Sequence, residues 1–278
     1  MVQAFVLSLL VIVVVWVIGA PFLTRLRRRR LRNAPCPEHW ESFLTRRVHL
    51  YRRLPRALQY RLLGHVNVFL VEKQFIGCDG LEITEEIKLT IASQACLLLL
   101  GGHKECYPRV HSVLVYPGAY LVKTLKPLGE YVVREVEEVR IGESWSAGEV
   151  VLSWEDIKLD ALNQEDGQNV ILHEFAHQLD QEDGEADGVP ILLHSADYAV
   201  WAAAMGGEYK RLRRAVTHQE KTVIDPYGAT HPAEFFAVTT EAFFEQPEHL
   251  KTEHSGLYDV LKHYYQLDPA TWSGQTAG

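Results

Sequence analysis

Several of the usual signatures of cofactor and disulfide chemistry are missing from the 278-residue sequence. Its four cysteines (Cys36, Cys78, Cys96 and Cys106) are too few and too scattered for a disulfide framework. No CxxC pair occurs, which removes a cysteine zinc ribbon. Neither GxxxxGK[ST] nor GxGxxG is present, so nucleotide cofactors are not implied. No serine sits in GxSxG, so a serine hydrolase has no support. Acidic residues are absent from positions 1–32, which hold six Arg. With those six set aside, the 28 basic residues fall to 22 against 36 acids. So acidic a body does not suit binding that runs on phosphate neutralisation, and no direct nucleic-acid partner is expected.

Charge is also missing between Val2 and Leu23, where VLSLLVIVVVWVIG is nearly pure hydrocarbon. About 22 such residues are long enough for a helix to cross a bilayer core. A cleaved signal peptide fits less well, since nothing basic precedes the run and Pro21 follows Ala20. Arg25, Arg27, Arg28, Arg29, Arg30 and Arg32 come next, a cluster that stays on the cytoplasmic side and attracts anionic headgroups. The expectation is one transmembrane anchor over 1–24 and a polybasic juxtamembrane linker over 25–37. These would give a single-pass inner-membrane protein with a cytoplasmic domain over 38–268 and a tail over 269–278. Reduced cysteines agree with that compartment.

Apolar residues make up 47% of the chain, so a packed core is expected. Helical periodicity runs across about 38–75, and 73–80 reads as a turn. Another helix opens at Thr84 and ends at Gly101-Gly102. Runs rich in β-branched residues follow at Val110–Tyr116, Tyr131–Ile141 and Glu149–Trp154. The last third returns to helices near 167–182, 195–216, 232–245 and 256–266. Helices on either side of a small sheet indicate the α+β class, one domain with two lobes.

His173-Glu174-Phe175-Ala176-His177 is HExxH. On a helix, positions i and i+4 share a face, so two imidazoles converge on one Zn²⁺. Glu174 beside them reaches a metal-bound water as general base. Leu172, Phe175, Ala176 and Leu179 form the apolar face, so the histidines point toward a cleft. The bland alternative is a surface helix with two incidental histidines. Two candidates compete for a third ligand. Asp183 echoes the last position of HExxHxxGxxH, but Asp180 stands where that pattern wants Gly. The segment His231-Pro232-Ala233-Glu234 starts a helix at Pro232 and offers Glu234 and, two turns later, Glu241. Either glutamate could ligate while the other orients a histidine. Asp180, Glu182, Asp183 and Asp187 miss EF-hand spacing and read as a turn supporting the metal helix. His194, His218, His249 and His263 read as surface or capping residues, and Trp145 and Trp154 as packing residues. Strand Glu149–Trp154 offers an edge for an extended peptide.

HEFAHQLDQEDGEADGVPIL (173–192), IASQACLLLL (91–100), VLVYPGAY (113–120), GESWSAGEVVLSW (142–154) and DPYGATHPAEFFAVTTEAFFEQPEHL (225–250) together resemble the Mlc titration factor A family of zinc-dependent peptidases. The resemblance spans roughly residues 40–265. It implies a zincin-like fold with Zn²⁺ held by His173, His177 and Glu234, and Glu174 as general base. It further implies Tyr227 as a donor to the oxyanion. The implied activity is peptide hydrolysis, with aminopeptidase specificity among the forms it would cover. The family name brings in a transcriptional regulator as partner besides a peptide or protein substrate. The basic N-terminal anchor departs from the family pattern. The rival reading is a protein-binding scaffold with a structural or vestigial zinc site.

Overall fold

The four residues Gln74–Gly77, expected to be a turn, form the first strand of the sheet that carries the fold. The computed structural model describes residues 16, 19–102, 105–118, 120–129, 132–140, 142–145, 148–163 and 166–272, with backbone alone over 120–145. A helix over 19–32 (α1) leads into α2 (Glu38–Arg47), α3 (His49–Arg53) and α4 (Arg56–Glu72). Strand β1 (Gln74–Gly77) is followed by α5 (Glu85–Leu97), whose first turn is capped by Thr84. Then come β2 (Ser112–Tyr116), a hairpin of β3 (Tyr120–Gly129) and β4 (Val132–Arg140), β5 (Gly142–Trp145) and β6 (Glu149–Ser153). Helices α6 (Trp154–Asp160), α7 (Val170–Asp180), α8 (Asp197–Thr217), α9 (Pro232–Glu245), α10 (Pro247–Glu253) and α11 (Ser255–Tyr265) complete the chain.

The main sheet has the order β1-β2-β6-β5. Strands β1, β2 and β6 are parallel, with Gln74 opposite Ser112 and Ser112 opposite Glu149. Only the outer strand β5 runs antiparallel, with Trp145 opposite Glu149. The α+β expectation is therefore corrected to a mostly helical chain around a small sheet of three parallel strands. A four-residue strand is too short to show alternation, and its partner lies beyond an entire helix, so local pattern could not reveal it. Glu149–Trp154 is corrected likewise: β6 is interior, and the edge near the metal-motif helix is β5.

The membrane expectation is also corrected. Among the described residues no helix is long and apolar enough to cross a membrane. Residues 1–15, 17 and 18 of the expected span lie outside the described residues. All six Arg of the N-terminal cluster fall on α1, and charged groups are costly in hydrocarbon. Arg28 is instead tied to the body, bonding both carboxylate oxygens of Glu72 at 2.8 and 2.9 Å and also pairing with Glu105. A transmembrane helix, a membrane partner through it and a single-pass placement are thus unsupported.

One continuous core joins the helices to β1, β2 and β6. Phe175 of α7 lies edge-on to Phe69 of α4 at 5.7 Å and to Tyr107 at 4.8 Å. Lys73, at the C-terminal end of α4, is buried and donates from Nζ to the carbonyls of Tyr107 and Val110. Helix α7 packs against both α5 and α9.

Candidate metal centre

Helix α7 is held at its start by three groups. Asn169, extended at φ −160°, accepts the amide of Leu172 on its side-chain oxygen at 3.0 Å. Its amide nitrogen donates to Gln94 at 2.6 Å and to Glu245 at 2.8 Å. The Val170 amide donates to Asp160 at 2.8 Å, placing a carboxylate at the helix N-terminus. Helix α9 starts at Pro232 with His231 accepting the Ala233 amide. Gly188, at φ +79°, lies so close to Pro232 that an added Cβ would fall 2.4 Å from its carbonyl oxygen. The turn after α7 is thereby locked to the first turn of α9.

With both helices fixed, three atoms converge. His173 Nε2 lies 3.0 Å from Glu234 Oε2, His177 Nε2 lies 3.3 Å from the same oxygen, and the two Nε2 atoms are 3.2 Å apart. Among the described residues these three are the group whose donor atoms could hold one ion. On the far side of its ring, His173 Nδ1 donates to Glu241 Oε1 at 2.7 Å, and Glu241 Oε2 accepts the Asn169 amide at 2.5 Å. The two α9 glutamates left open by the sequence are sorted by this geometry. Glu234 faces the convergence point, and Glu241 faces the back of a histidine.

Burial opposes charge on His173, but the hydrogen bonds it donates to Glu234 and Glu241 outweigh it and raise its pKa well above the usual histidine value. Glu234 is also partly desolvated, yet the two histidines hold its carboxyl well below the ordinary range. So strong a pull toward positive charge is what a divalent cation would exploit. Glu174 is buried, and its Oε2 has no hydrogen-bond partner among the described residues. Burial pushes this carboxyl up to about 7 against the opposing influence of the histidines. The ring of Tyr227, more than half exposed, lies 6.2 Å from that of His173, at the rim.

The local alternative is not assembled. Asp183 is exposed and accepts the Glu185 amide at 3.0 Å. Asp180 turns away to accept the Gly188 amide at 3.0 Å, and Asp187 accepts that of Val189 at 3.0 Å. These acids build the turn, as the sequence indicated. His194, His218, His249 and His263 are exposed, and Trp154 packs against the core. Sequence reasoning missed the support behind α7, in which Asn169 meets Glu245 and Glu245 in turn meets His49 at 2.5 Å. The only local signal was an Asn before the helix.

Known proteins resemble this chain over most of its length. The family model described as glucose-regulated metallo-peptidase M90 matches residues 23–266. An uncharacterized protein of Synechocystis sp. is 43% identical over 267 residues, covering 96% of this chain and 97% of its own. Mlc titration factor A of Pectobacterium atrosepticum is 32% identical over 235 residues, covering 84% and 87%. The protein of the same name from Klebsiella pneumoniae is 32% identical over 240 residues, covering 85% and 88%.

Proposed function

The chain belongs to the glucose-regulated metallopeptidase M90 family, and from that premise we propose that it is a zinc-dependent peptidase. His173, His177 and Glu234 are its metal ligands and Glu174 its general base. The observation that carries this reading is the triangle of donor atoms, with sides of 3.0, 3.2 and 3.3 Å. Two ligand atoms each about 2.0–2.1 Å from one zinc at a tetrahedral angle stand roughly 3.3 Å apart. The donor set therefore fits the ion. Bound zinc would polarise the scissile carbonyl and acidify an attacking water.

The chain's own residues do the rest. Glu241 keeps the His173 proton on Nδ1, leaving Nε2 free to ligate. Glu174 has a free carboxylate oxygen to take the water proton and hand it to the leaving amine. Tyr227, at the rim, donates to the oxyanion. Strand β5 pairs with β6 on one side only among the described residues and lies beside α7, so its outer side can take an extended peptide through backbone bonds. Aminopeptidase specificity is one form of this activity. The relatives named Mlc titration factor A extend the proposal to a regulator protein as a binding partner.

A scaffold with an inert metal site has less support, because a structural ion needs no unpaired carboxylate buried next to it. The deciding experiment is Glu174→Gln. Zinc content and folding are expected to survive while hydrolysis of a broad peptide set falls by about 10²–10⁴-fold. Hydrolysis at the wild-type rate would overturn the mechanism, and a wild type inert on every peptide would hand the lead to the scaffold.

A further inference from the structure

Beyond the C-terminal end of α7 lies a second hollow of about 510 Å³, lined by none of the three candidate ligands. Trp201, Val260 and Tyr264 are buried and form its apolar floor. At its mouth Ile191, Leu193 and Val200 are 48, 64 and 60% exposed. Three apolar side chains exposed together at the mouth of an apolar hollow mark a surface built to be covered. The rim is acidic, with Glu182, Asp197 and Asp259. Asp197 is 3.3 Å from His263, but no ion pair with a described residue reaches Glu182 or Asp259. Burial, with Glu105 and Asp183 nearby, pushes Glu182 up to about 7. An apolar floor within an acidic rim calls for a row of apolar side chains flanked by cations.

The same chain carries such a row. On α1, Phe22, Leu23 and Leu26 are 69, 63 and 37% exposed, at the i, i+1, i+4 spacing of one helix face. Arg25, Arg27 and Arg29 flank them, all exposed. Helix α1 meets the body where Arg28 pairs with Glu105, the carboxylate near enough to act on Glu182. The arm therefore leaves the molecule beside the hollow, and Phe22, Leu23 and Leu26 stay exposed among the described residues. We propose that α1 of a second copy seats in this hollow. Leu23 and Leu26 would enter between Leu193 and Val200, and the arginines would meet the acidic rim. Because each copy has one arm and one hollow side by side, a two-fold pair exchanges both contacts at once.

The test is sedimentation of the full chain, in one nonionic detergent throughout. Wild type is expected to dimerise. Leu23→Asp/Leu26→Asp on the arm and Leu193→Asp/Val200→Asp at the hollow are each expected to weaken the dimer by about 30-fold or more, the loss typical of a buried anchor. An equal mixture of the two variants is expected to recover a heterodimer, since one intact arm still meets one intact hollow. If the hollow variant fails to fold, Asp259→Lys reverses the rim charge without touching the core and is expected to weaken the dimer alone. Three results would overturn the proposal. One is a wild type that is monomeric at about 100 µM. Another is a dimer indifferent to the hollow variants. The last is arm-dependent capture by phosphatidylglycerol vesicles with no change in oligomeric state, which would make α1 a lipid-binding helix.

Discussion

Glu241 offers a test of the centre that leaves every proposed ligand in place. Both its oxygens are committed, Oε1 to His173 Nδ1–H at 2.7 Å and Oε2 to the Asn169 amide at 2.5 Å. Glu241→Gln preserves shape but turns one acceptor into an NH₂ donor. Whichever way the amide is turned, that NH₂ faces an N–H. If it faces His173, the ring is driven to carry its proton on Nε2, the atom proposed to bind the ion, and zinc affinity is expected to fall by about 10–100-fold. If it faces Asn169, a buried amide loses its partner at a cost of about 1–3 kcal/mol in folding stability. Competition against a chromophoric chelator reads the first effect, and urea unfolding in excess chelator reads the second. A variant that binds zinc within a factor of about three of wild type and unfolds at the same urea concentration would refute the argument.

Three further expectations are simpler. His173→Ala, His177→Ala and Glu234→Ala should each lose most bound zinc on metal analysis, whereas Asp183→Ala should keep it; the reverse pattern would move the third ligand to the turn. Phe175→Ala removes the ring between Phe69 and Tyr107 and should cost about 3–5 kcal/mol in urea unfolding. Burial pushes Asp160 up to about 6 from an ordinary 3.8, so between about pH 4 and 6 the folded chain holds a proton that the unfolded chain has released. Its contribution to stability is therefore lost as pH rises through that window. Asp160→Asn should flatten this part of the urea-midpoint profile, and an unchanged slope would contradict the assignment.

The HExxH helix was legible because its evidence is local. HExxH and the Leu172–Leu179 stripe lie within eight residues, and both follow from helix geometry alone. The α9 start was legible from Pro232, and so were the candidates Glu234 and Glu241. Residue pattern alone did not say which of the two faces the convergence point, because that depends on how α9 rotates against α7; the family resemblance is what pointed to Glu234. Pairing of β1 with β2 was illegible for the same kind of reason, since the two meet only across α5. The hydrophobic N-terminal pattern was read as a membrane span, yet the described helix at that end is the arginine-bearing α1 docked on Glu72 and Glu105. Periodicity reports which residues are apolar, not which surface they meet.

The tie among His49, Glu245 and Asn169 has a consequence for biosynthesis. A chain emerging from the ribosome exposes His173 and His177 some sixty residues before Glu234, and Glu241 and Glu245 come later still. Until α9 has been made and has docked, the two histidines have neither a third donor nor a partner to fix their tautomer. A stalled chain ending near residue 230 could meet zinc only through two loosely held imidazoles. On the proposed ligand set, metal capture is deferred until most of the chain has been synthesised, when a nearly complete molecule closes around the site. An unfinished chain carries the motif but not the centre.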